Sequence, residues 1–145
     1  MVTQFGQALA ALIQSLQWTL RSQAFGIGIA APQMGISKQV AIVDVSARIP
    51  GAKLLTLINP EILRYETEKI SKEGCMSLPD YSAYLKRYER VVYRTQDVVG
   101  KTVEREASGI EAVCIQHEID HLNGVLFIDR VVSLKTDMLP RKKST

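Results

Sequence analysis

The chain has 145 residues, enough for one domain with one real core, and its 46% hydrophobic against 23% charged residues is the balance of an ordinary globular protein. The formal net charge is +3, part of it from Arg141-Lys142-Lys143 at the end, and so small an excess does not point to a nucleic-acid surface, which shows as a dense basic patch. No apolar run reaches the ~20 residues of a bilayer span, and one arginine before residue 38 is too few for a transit peptide.

The first expected element is a helix over residues 3–22. Phe5, Leu9, Leu12, Ile13, Leu16 and Leu20 recur at three- and four-residue spacing and make one apolar stripe. Its other face is uncharged and rich in glutamine, with Trp18 either capping the stripe or facing a neighbour. Gly26-Ile27-Gly28-Ile29-Ala30-Ala31-Pro32-Gln33 follows. It is a poor nucleotide loop, since no strand precedes it and no helix pattern follows. Small residues instead suit a short extended segment whose edge accepts a peptide strand, with the Gln33 amide at its end as a donor or as a turn cap.

Strands are expected at 38–45, 54–58 and 62–70, the second closed by Asn59-Pro60. Along 38–45, Val40 and Ile42 fall on one face and Ala41, Val43 and Val45 on the other. Short connections predict antiparallel pairing. Glu73-Gly74-Cys75-Met76-Ser77-Leu78-Pro79-Asp80 holds too many special residues for a generic loop. Further strands are expected at 85–93 and 98–103, then a helix from about 106 to 123 stopped by Gly124, and a last extended piece at 125–128.

That second helix carries the chain's only histidines, His117 and His121, one turn apart on one face. At roughly 6 Å between Cβ atoms, two imidazoles can share a metal ion. Glu118, about 100° further round, can act as general base toward water at that ion. Two exposed histidines on a solvated face would be the bland alternative. A catalytic site needs a third ligand. Cys114 is about 10.5 Å along the axis from His121, too far for its short side chain. Cys75 is the only cysteine elsewhere, with Glu73 and Asp80 as carboxylate alternatives. Cys114 is then a small buried hydrophobe beside the site. Beside such a motif the two cysteines read as reduced thiols, hence a reducing compartment, rather than as a disulfide.

G-I-G-I-A-A-P-Q at 26–33, E-G-C-M-S at 73–77 and Q-H-E-I-D-H-L at 116–122 stand in this order. Together they resemble the three signature motifs of peptide deformylases, and the resemblance covers roughly residues 5–130. It implies an α+β fold: antiparallel β-sheets packed around a central metal-binding H-E-x-x-H helix, with an N-terminal helix, as a single catalytic domain over 1–145. It implies a hydrolase that removes the N-formyl group from the formylmethionine of nascent polypeptides and releases formate, with metal-bound water as nucleophile. Carried over by motif, the metal ligands are Cys75, His117 and His121, Glu118 is the general acid/base, and Gln33 and the Met76 backbone N–H are the oxyanion donors. One divalent ion per chain is expected, Fe2+ in cells, with Zn2+, Ni2+ or Co2+ able to take the same ligands.

On this reading Ile110, Val113 and Cys114 line a pocket for the methionine side chain. The backbone at Ile27 and Gly28, with Gly74 opposite, pairs with the peptide. The partners are formylmethionyl nascent chains at the ribosome. The protein is expected as a monomer in the cytoplasm of a bacterial or virus-infected bacterial cell, or in an organelle, without membrane or nucleic-acid binding. Arg87 matches an arginine of the family pattern and would pair with Glu73 to brace the cysteine segment. The sequence departs from the pattern in starting close to its first helix, in lacking a long C-terminal helix, and in having Ser82 where many bacterial members place an arginine. A zinc endopeptidase would share H-E-x-x-H but leave E-G-C-M-S unexplained, and a catalytically silent metal- or peptide-binding module would need neither Glu118 nor Gln33.

Overall fold

A computed structural model describes residues 1–23, 27–75, 78–125 and 138–140, the side chains of 74–83 and 138–140 excepted. Helix α1 spans Gln7–Arg21 and buries Leu9, Ile13, Leu16 and Leu20, as the stripe predicts. It starts later than expected because the chain before it is tied to the sheet. The Asn59 side chain accepts the Val2 N–H at 2.7 Å and donates to the Val2 carbonyl at 2.8 Å. Phe5 therefore lies outside the helix, packed on Gly100. Trp18 is 74% exposed.

Strand β1, Gly28–Ala30, runs into a 3-10 turn at Ala31–Met34 that Gly35 ends at φ 76. Then come β2, Val40–Val43, and two long strands, β3 at Leu55–Cys75 and β4 at Leu78–Gln96. Strand β5, Thr102–Ser108, leads into helix α2, Gly109–Leu122, and β6 is Met138–Pro140. All pairings are antiparallel, in the order β1-β2-β3-β4-β5, with β6 on β4. The expected α+β architecture with antiparallel strands is what the chain adopts.

Three boundaries differ from the sequence reading. Asn59-Pro60 does not end a strand. Asn59 takes φ 48, a left-handed conformation asparagine tolerates, and the register shifts between Ile58 and Glu61, so β3 passes through as a bulge. Residues 98–101 form a turn rather than strand, because the Asp97 carboxylate accepts the N–H groups of Val99 and Lys101. Helix α2 begins only at Gly109. Residues 102–108 pair with β4 up to Ser108, and Gly109, at φ 63, makes the switch from strand to helix.

The end of α2 is as expected: Gly124 takes φ 75, and the N–H of Val125 reaches the Asp120 carbonyl at 2.8 Å. Gln39 closes the Leu122 carbonyl at 2.8 Å. The extended piece expected at 125–128 lies outside the described residues beyond Val125.

Strand β2 is buried on both faces, as its pattern predicts. Ala41 and Val43, with Val45 just beyond the strand, join the core around Cys114, Ile115 and Ile119 of α2. Val40 and Ile42 join the core around Leu9, Ile13 and Leu16 of α1. The sheet is thus clasped between the two helices at this point. A third contact holds α2 to the sheet from its side chains. Strand β5 covers β4 only up to Arg90, and β6 covers it only at Tyr81–Ala83. In the gap, Gln116 accepts the Tyr88 N–H at 2.9 Å and donates to the Tyr88 carbonyl at 2.7 Å. One side-chain amide takes the place of a strand residue there.

Candidate metal centre and active site

From Cys114 to Leu122 every residue of α2 is buried, including Gln116, His117, Glu118, Asp120 and His121. Such a run needs partners inside the protein. Arg87, 3% exposed on β4, supplies much of this. Its guanidinium holds Glu73 of β3 bidentately at 2.8 and 2.9 Å and donates to Asp120 at 2.6 Å. Glu73 in turn meets His117 Nδ1 at 2.9 Å. Burial alone would raise the Glu73 carboxyl, but the hydrogen bond with His117, then those from Arg87, outweigh it and bring it down to about 2. An ionised Glu73 can accept the Nδ1 proton, and the other ring nitrogen of His117 then faces His121.

That nitrogen, Nε2, lies 3.1 Å from Nε2 of His121. The expected pair therefore converges through these two ring nitrogens. Glu118 packs on β1: a methyl group built at Gly28 would sit 2.5 Å from Glu118 Oε2 and 2.9 Å from Cys114 Sγ. Only glycine lets β1 approach the helix this closely. Gln33 Oε1 accepts the Ala30 N–H at 2.9 Å. Its amide orientation is thereby set, with the carbonyl engaged and the NH2 group left to donate elsewhere.

A profile of the polypeptide deformylase family matches residues 1–137. The chain belongs to the polypeptide deformylase family. It is 44% identical over 144 residues to the peptide deformylase of Thermodesulfovibrio yellowstonii, covering 99% of this chain and 87% of that one. Among solved structures, the peptide deformylase of Synechococcus elongatus in complex with actinonin superposes with a TM-score of 0.86 at 41% identity, over 92% of this chain and 73% of that one. A class I type b peptide deformylase of Acinetobacter baumannii bound to Met-Ala-Ser superposes at 0.80 with 36% identity, over 87% and 82%. Peptide deformylases are metal-dependent hydrolases that remove N-formyl groups from nascent peptides.

The remaining deformylase residues sort by element. Cys75 is the last residue of β3, two residues beyond Glu73, in register with Leu78, and its side chain is not among those described. Gly74 pairs with Ser82. Met76, the expected oxyanion donor, lies outside the described residues. Cys114 is 4% exposed, with Sγ 3.4 Å from the Ile27 carbonyl, and burial pushes its thiol well above the ordinary range. It is a neutral packed thiol, as expected. Ile110 packs at the margin of the core that holds Cys114, and Val113 is half-buried.

The Ile27 carbonyl also accepts the Asp44 N–H at 2.8 Å, so it faces β2. By antiparallel alternation the N–H and carbonyl of Gly28 face away from β2, along an edge that no described strand occupies. No helix among the described residues is long and apolar enough to cross a membrane.

Do these residues fit a metal ion? Two imidazole nitrogens on one ion at ~2.0–2.1 Å stand roughly 3 Å apart, which matches the pair. Among the described residues Arg87 is the only buried lysine or arginine, against three buried carboxylates, Glu73, Glu118 and Asp120. A divalent cation at the pair would offset the excess negative charge. Among the described residues no group of three His, Cys, Asp or Glu side chains forms a metal site by itself. Glu73, one sequence alternative for the third ligand, is committed to His117 Nδ1 and Arg87.

Sequence reasoning found Arg87 and Glu73 but missed Asp120 and Gln116. Both lie within the Q-H-E-I-D-H segment. The signal available was a third donor on Arg87 and a helix too buried to carry unpaired polar groups.

Proposed function

We propose that this chain removes the formyl group from N-formylmethionyl peptides by metal-assisted hydrolysis, with Cys75, His117 and His121 as ligands and Glu118 as general acid/base. The observation that carries the proposal is the convergence of the two Nε2 atoms at 3.1 Å beside a glutamate pressed on the backbone of an edge strand. When bound, a divalent ion there polarises the formyl carbonyl and acidifies water. Fe2+ is the proposed ion in cells, and the thiolate–imidazole set also suits Zn2+, Ni2+ and Co2+.

Each protein group then has a task. Glu118 accepts the proton of the attacking water and returns it to the departing amine. Gln33, fixed by the Ala30 N–H, offers its NH2 group to the oxygen on which charge develops, and the Met76 N–H is the second donor. Losing one such donor costs ~2.7–4 kcal/mol of barrier. Gly28 presents its backbone N–H and carbonyl to the peptide as an added strand, which binds main chain and leaves the sequence largely free. Gly74 and Ile27 flank that strand, and Ile110, Val113 and Cys114 wall the methionine pocket. The whole of 1–145 acts as one catalytic domain, a monomer in the cytoplasm working on nascent chains at the ribosome.

Formate release from formyl-Met-Ala-Ser by protein prepared without oxygen tests this, with metal content measured on the same sample. About one divalent ion per chain and formate without internal cleavage of a blocked peptide are expected. Internal cleavage would favour an endopeptidase, and bound metal without any turnover would favour a silent module.

A further inference from the structure

A helix ends in four carbonyls that no further turn can bond. In α2 these belong to Ile119, Asp120, His121 and Leu122. The chain's own continuation closes three of them. The Asn123 N–H reaches Ile119 at 3.0 Å and Asp120 at 3.1 Å, the Gly124 N–H reaches His121 at 3.2 Å, and the Val125 N–H reaches Asp120 at 2.8 Å. The fourth, that of Leu122, is closed from a distant segment, by the side-chain amide of Gln39 at 2.8 Å across 83 residues of sequence. This bond joins the turn of helix that carries His121 to the start of β2.

Gln39 is itself held. It stands directly before Val40, which is fully buried and pairs with Ile58. Its main-chain carbonyl accepts the Asn59 N–H at 2.8 Å. Upstream, the Ile36 N–H bonds the Ala31 carbonyl at 3.1 Å and the Lys38 N–H bonds the Ile36 carbonyl at 2.9 Å, so the chain is pinned all the way back to the 3-10 turn that contains Gln33. The other ties of α2 run to the opposite side: Gln116 and Asp120 reach β4, and His117 meets Glu73 of β3. Gln39 alone among these joins the helix to the segment between β1 and β2.

We propose that Gln39, which lies outside the three motifs, is a positioning residue of the metal centre: its amide fixes the last turn of α2, and with it the His121 ring, against the segment that carries Gln33. This rests on the histidine pair of the deformylase reading above. A side chain at this place can influence a bound cation in two ways, and their signs are opposite. Through space, a carboxylate favours the cation and an ammonium disfavours it. Through the helix end, an ammonium keeps a donor for the Leu122 carbonyl and complements the negative end of the helix dipole, whereas a carboxylate faces that carbonyl with no proton to offer.

The test compares Gln39→Met, Gln39→Glu and Gln39→Lys with the wild type in Co2+ affinity, by competition with a chelator, and in kcat and KM for formyl-Met-Ala-Ser. Gln39→Met keeps the length and loses the donor. It should bind Co2+ about 10-fold more weakly, the lower end for groups that orient ligands, and lose kcat by a similar factor with KM little changed. Gln39→Lys should stay near the wild type in both, and Gln39→Glu should fall below Gln39→Met. Gln39 is half-buried, and chemical denaturation of the metal-free proteins sets the conditions in which each variant is folded. Any two folded variants suffice to read the order. Lys above Met above Glu supports the role. Any other order, including the reverse one that charge alone dictates, overturns it. So do affinities level with the wild type, the result of a tie that serves stability only. Cobalt binding is read without substrate, so absence of formate from the loaded wild type overturns the deformylase reading while the order of affinities still decides the role of Gln39. A wild type that binds no Co2+ overturns both.

Discussion

The two helices solve opposite problems. α1 buries one apolar stripe, Leu9, Ile13, Leu16 and Leu20, and leaves an exposed face that includes a tryptophan. α2 is buried along most of its length and takes five polar side chains with it. The first is stabilised by area removed from water, at roughly 25 cal/mol per Å2. The second depends on partners contributed by β3 and β4. The difference teaches why the proposed site belongs to α2: its polar groups are withdrawn from solvent and must be held in position by the sheet.

Four substitutions break or sharpen that contrast. The largest effect belongs to Glu118→Ala. Formate release should fall about 10²- to 10⁴-fold, the range for a positioned acid–base group, while metal content measured by elemental analysis is retained. Arg87→Leu comes next. It strands Glu73 and Asp120 together inside the protein, and chemical denaturation should show a loss of about 3–5 kcal/mol. Metal affinity, read by competition with a chelator, should drop about 10- to 100-fold, because Glu73, which orients His117, loses the guanidinium that holds it in place.

Leu16→Ala should cost about 2–5 kcal/mol in the same denaturation experiment, since Leu16 is fully buried. Unlike Arg87→Leu, it should leave kcat of the folded fraction and metal affinity unchanged. A coupled loss of metal affinity would show that the two helices are not energetically separate across β2. The smallest effect is expected for Trp18→Ser, within about 0.5 kcal/mol, because the ring is largely in water.

How much of this was legible follows the same division. The α1 stripe and the two faces of β2 could be read directly, because burial there follows simple periodicity. The convergence of the two histidines could be read because side-chain spacing on a helix is fixed by its pitch. What failed was local punctuation. Asn59-Pro60 reads as a stop, yet the tie between Asn59 and Val2 and the pairing with β4 carry the strand through. Residues 102–108 were divided between a strand ending at 103 and a helix starting near 106, and only pairing with β4 makes them one strand. Asp120 and Gln116 were not readable from period at all, since their partners are 33 and 28 residues away. Gln33 allowed two readings, turn cap or donor, and the geometry shows the first: its oxygen accepts the Ala30 N–H.

The amide of Gln116, standing in the ladder beside Tyr88, has one more consequence. The Tyr88 proton is shielded by a helix side chain and not by a neighbouring strand. Its deuterium uptake therefore reports how firmly the histidine-bearing helix is seated, and a slowing at this one peptide group upon loading with zinc would register cofactor capture from a distance, without any assay of turnover.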